Sequence, residues 1–234
     1  MDINTLERQE KNKNSLKLRI TFFFIFFLAA VFAVFVITSV LQINTVTKFV
    51  CSQYAAPAVE EAIKEIRPGA FEKLSISLDP ADPYYVETQQ NLLKIKEKTR
   101  CLYLYTMAQA EGTVFNYIID GSDVPGGSNF STIGESEDIS FWDKAALKAF
   151  TTGTGQLGTI DQNENYGATI SAYEPIINNS GKTIGLMACD IDATNIVEWI
   201  KTQVLWQLGI VFILFAVGLA VYITMIKLVN KSFA

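Results

Sequence analysis

The sequence predicts an α+β domain, with a five-stranded antiparallel sheet and a long N-terminal helix, placed between two transmembrane helices. Two uncharged and strongly apolar runs, each longer than 20 residues, predict the transmembrane helices. Between them lie β-rich runs separated by turn residues, which predict the sheet. Apolar residues at intervals of three and four continue past the first apolar run and predict the long helix.

The two apolar runs favour membrane helices because no acid or base interrupts them from residue 20 to 47 or from 202 to 226. Each exceeds the roughly 20 residues that a helix needs to cross about 30 Å of hydrocarbon. The first run could instead belong to a cleaved signal peptide. It is longer than a secretory core and lacks a small-residue cleavage site, so an uncleaved anchor is favoured. We expect spans at residues 20–41 and 204–226.

Basic residues beside the two spans predict that both termini are cytoplasmic. Five Lys or Arg residues precede the first span, and Lys227 and Lys231 follow the second without any acid. Such an excess marks the cytoplasmic side of a membrane. Residues 1–19 and 227–234 are therefore expected to be cytoplasmic tails. Residues 42–203 are expected to form one domain outside the cytoplasmic membrane, between the two passes.

The composition of residues 42–203 argues against a nucleic-acid partner. These residues carry 12 basic and 21 acidic side chains, a net charge of −9. Surfaces that bind nucleic acid are usually basic. The acidic balance weakly favours a cationic ligand, although a solvated acidic surface is the more common explanation.

The first predicted element of the outer domain is a helical stalk that continues from the first span. Apolar positions recur at helical intervals until Pro68-Gly69, where the helix is expected to stop, and Pro57 is expected to kink it. A second helix is predicted with Asp82 as its cap and Pro83 at its first position, running towards Arg100.

The first strands are predicted from residues 101–108 and 113–120, which are β-rich and separated by a short turn with Glu111-Gly112. The segment 121–139 is rich in Gly, Ser, Asp and Pro and is expected to be a loop. Residues 140–150 are expected to form a short helix capped by Ser140.

Three further strands complete the predicted sheet. A brief strand is expected near residues 157–162, and longer strands are expected at 166–177 and 183–191. The sequence NNSG between the last two favours a tight turn. The simplest packing places helices on one face of the sheet and a cover of loops on the other, where a ligand cavity can form.

Four sequence runs resemble the single Cache sensor domain, a PAS-like extracytoplasmic module of chemoreceptors, sensor histidine kinases and diguanylate cyclases. The runs are YLYT (103–106), YIIDG (117–121), ISAYEPI (170–176) and GKTIGLMACDID (181–192). The resemblance covers about residues 45–195 and implies a fold that binds a small molecule without chemistry of its own. Members of the family usually continue into a cytoplasmic signalling module, whereas seven residues follow Lys227 here. The output is therefore expected from a partner chain or from a further segment.

The last hairpin permits an argument about which side chains share a face. If Asn179 and Ser180 form a two-residue turn, Thr169 faces Asp190, Ser171 faces Ala188, and Tyr173 faces Leu186. Side chains alternate along a strand, so these six lie on one side of the sheet. Their hydroxyl, phenol and carboxylate groups are typical of a cavity lining. The apolar opposite side suits packing against the long helix.

Asp190 is the sharpest candidate for a ligand contact, because a carboxylate on a partly buried face needs a partner such as an ammonium or a hydroxyl. The resemblance also implies an acid at the end of this strand that contacts the ligand. The alternative is that Asp190 bonds Thr169 or the nearby helix start. Aromatic residues with polar handles are further candidates, although each could belong to the core or the rim. The candidate ligand-binding residues are Tyr105, Tyr117, Trp142, Tyr166, Thr169, Ser171, Tyr173 and Asp190.

The sequence gives no support to an enzyme. It contains no His, no GxSxG turn and no Walker phosphate loop, so we expect no catalytic residue, no metal site and no cofactor. Asp120 and Asp123 could suggest calcium, but their spacing does not fit an EF-hand and a solvated turn is favoured. Cys101 and Cys189 are expected on neighbouring strands of this sheet type, with a disulfide left open. Cys51 could cross-link a dimer or remain a buried thiol.

The sequence thus predicts a membrane-anchored sensor that passes ligand binding through the second transmembrane helix to a cytoplasmic signalling partner, as in chemotaxis or two-component signalling. The expected partners are a small metabolite, either an amine or amino-acid-like, membrane lipid, and a second copy in a parallel homodimer through the apolar stripe of the stalk. The alternative is an accessory membrane protein whose outer domain binds another protein.

Overall fold

The computed structural model describes residues 3–142, 144–163 and 167–233. These residues form two compact units. We call residues up to Ile43 together with those from Glu198 onward the helical pair. We call Asn44–Val197 the sheet domain.

The helical pair contains most of α1 (Ile3–Val50) and of α6 (Thr194–Ser232). Both helices are long and apolar enough to cross a membrane, as the sequence predicts. Phe24 stacks on Tyr222 with ring centroids 4.9 Å apart. Gln207 accepts a 2.7 Å hydrogen bond from Ser39 and donates one of 2.8 Å to Gln42. Stacking and interhelical hydrogen bonds of this kind hold apolar helices together in lipid.

The helical side of the sheet domain consists of several short helical segments, whereas the sequence predicts one continuous stalk helix. A π-helical turn, Cys51–Ala55, follows α1 and precedes α2 (Ala56–Ala62), which carries Pro57 in its first turn. The missing N–H of proline accounts for an irregularity at this place. A 3₁₀ turn, Ile63–Glu65, ends the stalk, and Pro68 then begins α3 (Pro68–Ser77). The expected stop near Pro68 is confirmed, but α3 is absent from the sequence prediction.

Helix α4 (Pro83–Lys98) agrees with its prediction. The Asp82 Oδ1 atom accepts a 2.8 Å hydrogen bond from the Tyr84 N–H, and Pro83 occupies the first turn. One face of the helix buries Leu92 and Ile95 against the sheet. Asp82 thus supplies the acceptor that the first turn of a helix otherwise lacks.

The sheet is antiparallel and has the strand order β3-β2-β1-β6-β5-β4. The six strands are β1 (Cys101–Glu111), β2 (Val114–Asp120), β3 (Ser136–Asp138), β4 (Gln156–Asn163), β5 (Gly167–Ile177) and β6 (Thr183–Asp192). This arrangement confirms the predicted α+β, PAS-like class. The prediction of five strands is corrected to six, because β3 pairs with the edge of β2 inside the expected loop.

The predicted register of the last hairpin is wrong by two residues. Ser171 lies opposite Asp190 and Tyr173 opposite Ala188. The connection is longer than a two-residue turn: Asn178 N–H donates to Lys182 O at 2.9 Å, and Gly181 adopts a φ of +81°. A shift of two leaves every side chain on its predicted face, because the side-chain period of a strand is two.

The two faces of the sheet carry separate apolar clusters. On one face, residues of β5 and β6 such as Ile170 and Met187 pack with Ala58 and Phe71 of the helices. On the other face, Met107 and Leu186 pack with α5 (Lys144–Thr152). This confirms the expected packing of the apolar hairpin face against the helical side.

The short helical region beside the second face differs from its prediction. A 3₁₀ turn, Ile139–Phe141, precedes α5. Ser140 is not the cap: its N–H donates a 2.9 Å hydrogen bond to Asp138 Oδ1. An aspartate two residues before a donor forms the same local turn that a serine cap would form.

A disulfide joins Cys101 on β1 to Cys189 on β6, with Cα atoms 6.2 Å apart. The pairing of Cys101 with Cys189, which the sequence leaves open, is therefore present. Cys51 lies outside the disulfide and is fully buried, and its thiol donates a 3.2 Å hydrogen bond to the Ser171 carbonyl. Cys51 therefore fits the alternative of a buried thiol.

Candidate ligand-binding site

A cavity of about 230 Å³ lies in the sheet domain on the face away from α4. Strands β1, β5 and β6 form its floor, and the segment 128–131 and Trp142 contribute to its walls. Since an apolar cavity of about 150 Å³ can hold benzene, the space suits a small organic molecule. Its lining residues are Tyr103, Tyr105, Tyr117, Asp120, Ser122, Ser128, Asn129, Phe130, Ser131, Glu135, Glu137, Trp142, Asp161, Thr169, Ser171, Tyr173 and Asp190.

Seven of the eight candidate residues from the sequence line this one cavity. They are Tyr105, Tyr117, Trp142, Thr169, Ser171, Tyr173 and Asp190. The eighth, Tyr166, lies outside the residues that the structure describes. The structure brings together Thr169, Ser171, Tyr173 and Asp190, because every second side chain of β5 and β6 faces the cavity.

Asp190 is buried and accepts a 3.2 Å hydrogen bond from the Tyr105 hydroxyl. Burial raises the pKa of the Tyr105 phenol well above its ordinary value, and the neighbouring Asp190 charge acts in the same direction. Tyr105 therefore remains a donor throughout the physiological pH range. The predicted direct pairing of Thr169 with Asp190 is corrected, because Thr169 lies opposite Asp192, but both side chains remain on the same face of the sheet.

Three aromatic rings stand next to one another at the cavity. The Tyr105 and Tyr117 ring centroids are 5.2 Å apart, and those of Tyr105 and Trp142 are 6.3 Å apart in an edge-on arrangement. Glu137 holds two of the rings: it accepts a 2.7 Å hydrogen bond from the Tyr117 hydroxyl and one of 2.9 Å from the Trp142 indole N–H. Trp142 is thus fixed at the wall of the cavity.

Asp120 corrects the expectation of a solvated turn. Its side chain is only 2% exposed. The two carboxylate oxygens accept hydrogen bonds from the N–H groups of Ser122 (2.7 Å) and Ser131 (2.6 Å). These bonds tie together the beginning and the end of the segment that covers the cavity. Burial raises the pKa of the Asp120 carboxyl, against the lowering effect of those donors.

The pKa shift of Asp120 predicts how stability depends on pH. Because its pKa is raised in the folded state, Asp120 makes its full contribution to the free energy of unfolding below its unfolded pKa of about 3.9. This contribution is lost as the pH rises through the folded-state pKa. We expect the free energy of unfolding of the wild type, minus that of Asp120→Asn, to fall over this window. Each pKa unit corresponds to about 1.4 kcal/mol. Denaturant unfolding of the full chain in detergent micelles, monitored by tryptophan fluorescence, measures the difference.

Asp192 provides a matched control of opposite sign. Hydrogen bonds from the Thr194 side chain and backbone lower the pKa of Asp192, and its Oδ1 atom lies 2.8 Å from the Thr194 nitrogen. Its contribution is therefore present above about pH 3.9 and is lost as the pH falls through the lower folded-state pKa. The free energy of unfolding of the wild type, minus that of Asp192→Asn, should therefore decrease as the pH is lowered. If the two stability differences changed in the same direction with pH, the opposite pKa shifts of Asp120 and Asp192 would be contradicted.

Several lining residues were missed by the sequence analysis. Glu135 and Glu137 lie in the predicted loop, and Asp161 lies on the edge strand β4. Asp161 lies opposite Thr169, so the correct register between β4 and β5 would have identified Asp161 as a lining residue. No local signal could have found the two glutamates, because their position depends on how the segment after β2 folds back to form β3.

No protein-family model and no curated protein matches the sequence. Similar solved structures include the sensor domain of the V. cholerae histidine kinase DctB, at 13% identity and a TM-score of 0.46, covering 67% of this chain and 54% of that one. The chain therefore spans about half the length of the DctB structure.

Two chemoreceptor domains of Campylobacter jejuni are also similar. The Tlp3 ligand-binding domain, solved in complex with L-valine, has 12% identity and a TM-score of 0.41, covering 86% of this chain and 68% of its own. The periplasmic sensory domain of Tlp1 has 10% identity and a TM-score of 0.37, covering 68% and 62%. All three structures are sensor domains, the class of domain that the sequence resembles.

Proposed function

We propose that the protein is a membrane-anchored sensor whose sheet domain binds a small molecule outside the cytoplasm. Binding in the cavity is passed through α6 to a cytoplasmic signalling module on a partner chain or a further segment. The observation that carries the proposal is the order of parts along the chain. Asp190 lies in the cavity on β6, and α6 begins four residues later at Thr194.

Two observations support a location of the sheet domain outside the cytoplasm. Basic residues flank both apolar helices on the side of the chain termini, as is typical of cytoplasmic ends. The sheet domain contains the Cys101–Cys189 disulfide. Disulfides persist in oxidising compartments and are rare in the cytosol.

The proposal includes a parallel homodimer through the stalk. Phe49 on α1 is 62% exposed and Tyr54 in the π-helical turn is 40% exposed. Pairing of two such helices would remove these rings from water. Dimerisation would also convert a shift within one chain into relative motion between two chains.

Ligand binding is tested on the full chain in lipid nanodiscs with a broad metabolite library. A ligand of the cavity should raise the thermal unfolding temperature, and at 100 times its Kd it adds about 2.7 kcal/mol of stability. Asp190→Asn, which removes a charge from the cavity, should roughly halve this effect at the same ligand concentration if it weakens binding about 10-fold. If no compound binds and a protein co-purifies instead, the sensor proposal fails and the accessory membrane protein is favoured.

Transmission is tested by inserting two glycines between Asp192 and Asn195. Spin labels on Ser15 and Lys231, introduced as unnatural amino acids, report the distance between α1 and α6 within the helical pair. We expect ligand to change this distance in the wild type but not in the glycine variant, while ligand affinity stays the same, because flexible residues absorb the shift. An insertion of two alanines continues the helix and is the matched control. An unchanged response in the glycine variant would refute transmission through α6.

A further inference from the structure

We infer that the cavity takes a small organic cation without a carboxylate group, such as a primary amine, a diamine or a quaternary ammonium compound. The inference rests on the proposed function, because it assumes that the cavity holds a small molecule. It narrows the expected ligand from amines or amino acids to the amines alone. Charge, ring arrangement and buried hydroxyl groups each support it.

The charges around the cavity have one sign. Five lining residues carry a carboxylate: Asp120, Glu135, Glu137, Asp161 and Asp190. No Lys or Arg is present among the lining residues in the described part of the chain. An anionic group brought into this site would lose its hydration and meet like charges without a counter-charge. A cation also loses hydration, but the carboxylates compensate for this loss, whereas a free amino acid is compensated only at its ammonium end.

The aromatic rings suit a cation as well. Tyr105, Tyr117 and Trp142 form a contiguous group with centroid distances of 5.2 and 6.3 Å. The faces of Trp and Tyr rings attract cations, and groups of such rings are the known means of binding quaternary ammonium. The Tyr117 and Trp142 polar hydrogens are directed to Glu137. The rings are thereby held beside a carboxylate, which adds to their attraction for a positive charge.

Two hydroxyl groups in the cavity lining provide an independent observation. Ser171 and Thr169 line the cavity and are 6% and 8% exposed. Neither hydroxyl makes a hydrogen bond with any residue that the structure describes. Ser171 lies directly opposite Asp190, and Thr169 lies between Asp161 and Asp192 in the sheet. Hydroxyl groups that face a cavity can accept hydrogen bonds from an occupant, and the N–H groups of a primary ammonium beside these acids would donate them.

The test compares probes that differ only in a carboxylate. The pairs are isobutylamine against L-valine, putrescine against L-ornithine, and tetramethylammonium against glycine betaine, titrated calorimetrically into the full chain in nanodiscs. We expect at least one cation to bind about 10-fold or more tightly than its carboxylate partner. Succinate and calcium chloride serve as an anion and a metal ion. If the carboxylate partners, succinate or calcium bind better than every cation, the inference is overturned.

Two variants locate the binding. Asp190→Asn removes a cavity charge, and we expect it to weaken cation binding by about 10-fold. Glu97→Gln makes the same chemical change at an exposed position of α4 and should leave affinity unchanged. If Asp190→Asn fails to fold by circular dichroism, Trp142→Ala takes its place, because Trp142 is only half-buried. Equal affinity in wild type and cavity variants overturns the inference.

The outcomes separate this inference from the proposed function. Binding of L-valine or succinate that depends on Asp190 and is tighter than the binding of every cation would overturn the cationic ligand and leave the sensor in place. No binding by these probes or by the metabolite library would overturn both. Binding of the cations alone supports both.

Discussion

Replacing Cys101 and Cys189 together by alanine is expected to lower the free energy of unfolding by about 4 kcal/mol. The disulfide joins residues separated by 88 positions in the sequence. Closing a loop of this length removes much conformational freedom from the unfolded chain, and the chain-entropy relation gives about 4–5 kcal/mol for it. Both sulfur atoms also pack in the core, since Cys101 is 8% and Cys189 0% exposed.

The loss is measured by denaturant unfolding of the full chain in micelles, monitored by circular dichroism. Cys51→Ala is the matched control, because it removes a buried sulfur and the hydrogen bond to Ser171 without breaking a disulfide. We expect this control to lose about 1 kcal/mol. A double variant as stable as the control would show that the disulfide contributes nothing beyond packing.

Gly185→Ala is expected to destabilise the sheet domain by about 3 kcal/mol. A Cβ atom at this position would lie 2.5 Å from the Met107 carbonyl oxygen and 2.6 Å from Phe71 Cε1. Phe71 belongs to α3 and is fully buried. Neither a strand backbone nor a buried ring can yield easily in a close-packed core. The added methyl group must therefore separate α3 from the sheet.

Gly69→Ala is the control for the chemical change. Gly69 lies in the first turn of α3, and a Cβ atom there meets nothing within 4 Å. We expect it to stabilise the chain by about 0.5–1 kcal/mol, because alanine loses less freedom than glycine in a helix. Thermal unfolding of both variants beside the wild type gives the comparison. A Gly185→Ala protein with wild-type stability would contradict the close packing of α3.

The β5–β6 hairpin shows which part of the site the sequence could predict. The alternation of polar and apolar residues assigns Ser171, Tyr173 and Asp190 to one face, and the structure confirms this. The opposing pairs were wrong because they depend on the turn. Asn178 Oδ1 accepts from both Ser180 and Lys182 N–H groups, and this widens the connection. The face of the sheet on which a side chain lies depends only on the alternation of residues along its strand. The register between the two strands depends on the turn, which is set here by the hydrogen bonds of the Asn178 side chain.

Other parts of the fold had no local signal. Helix α3 ends with Leu78 in a left-handed conformation, at a φ of +49°, where glycine would be the usual sign of a helix end. Strand β3 is a polar segment that becomes a strand only by pairing with β2. The covering segment is held through Asp120, and its path depends on contacts that are distant in sequence.

The link between β1 and β6 limits how the cavity floor can rearrange. A strand that slips past its neighbour moves in steps of about 3.3 Å per residue. The covalent bond between Cys101 and Cys189 forbids such slippage, so the two central strands move as a single ribbon. Shear then remains possible only at the other four strand interfaces, which are β3–β2, β2–β1, β6–β5 and β5–β4. An occupant of the cavity would therefore act on β1 and β6 together rather than draw out one strand alone.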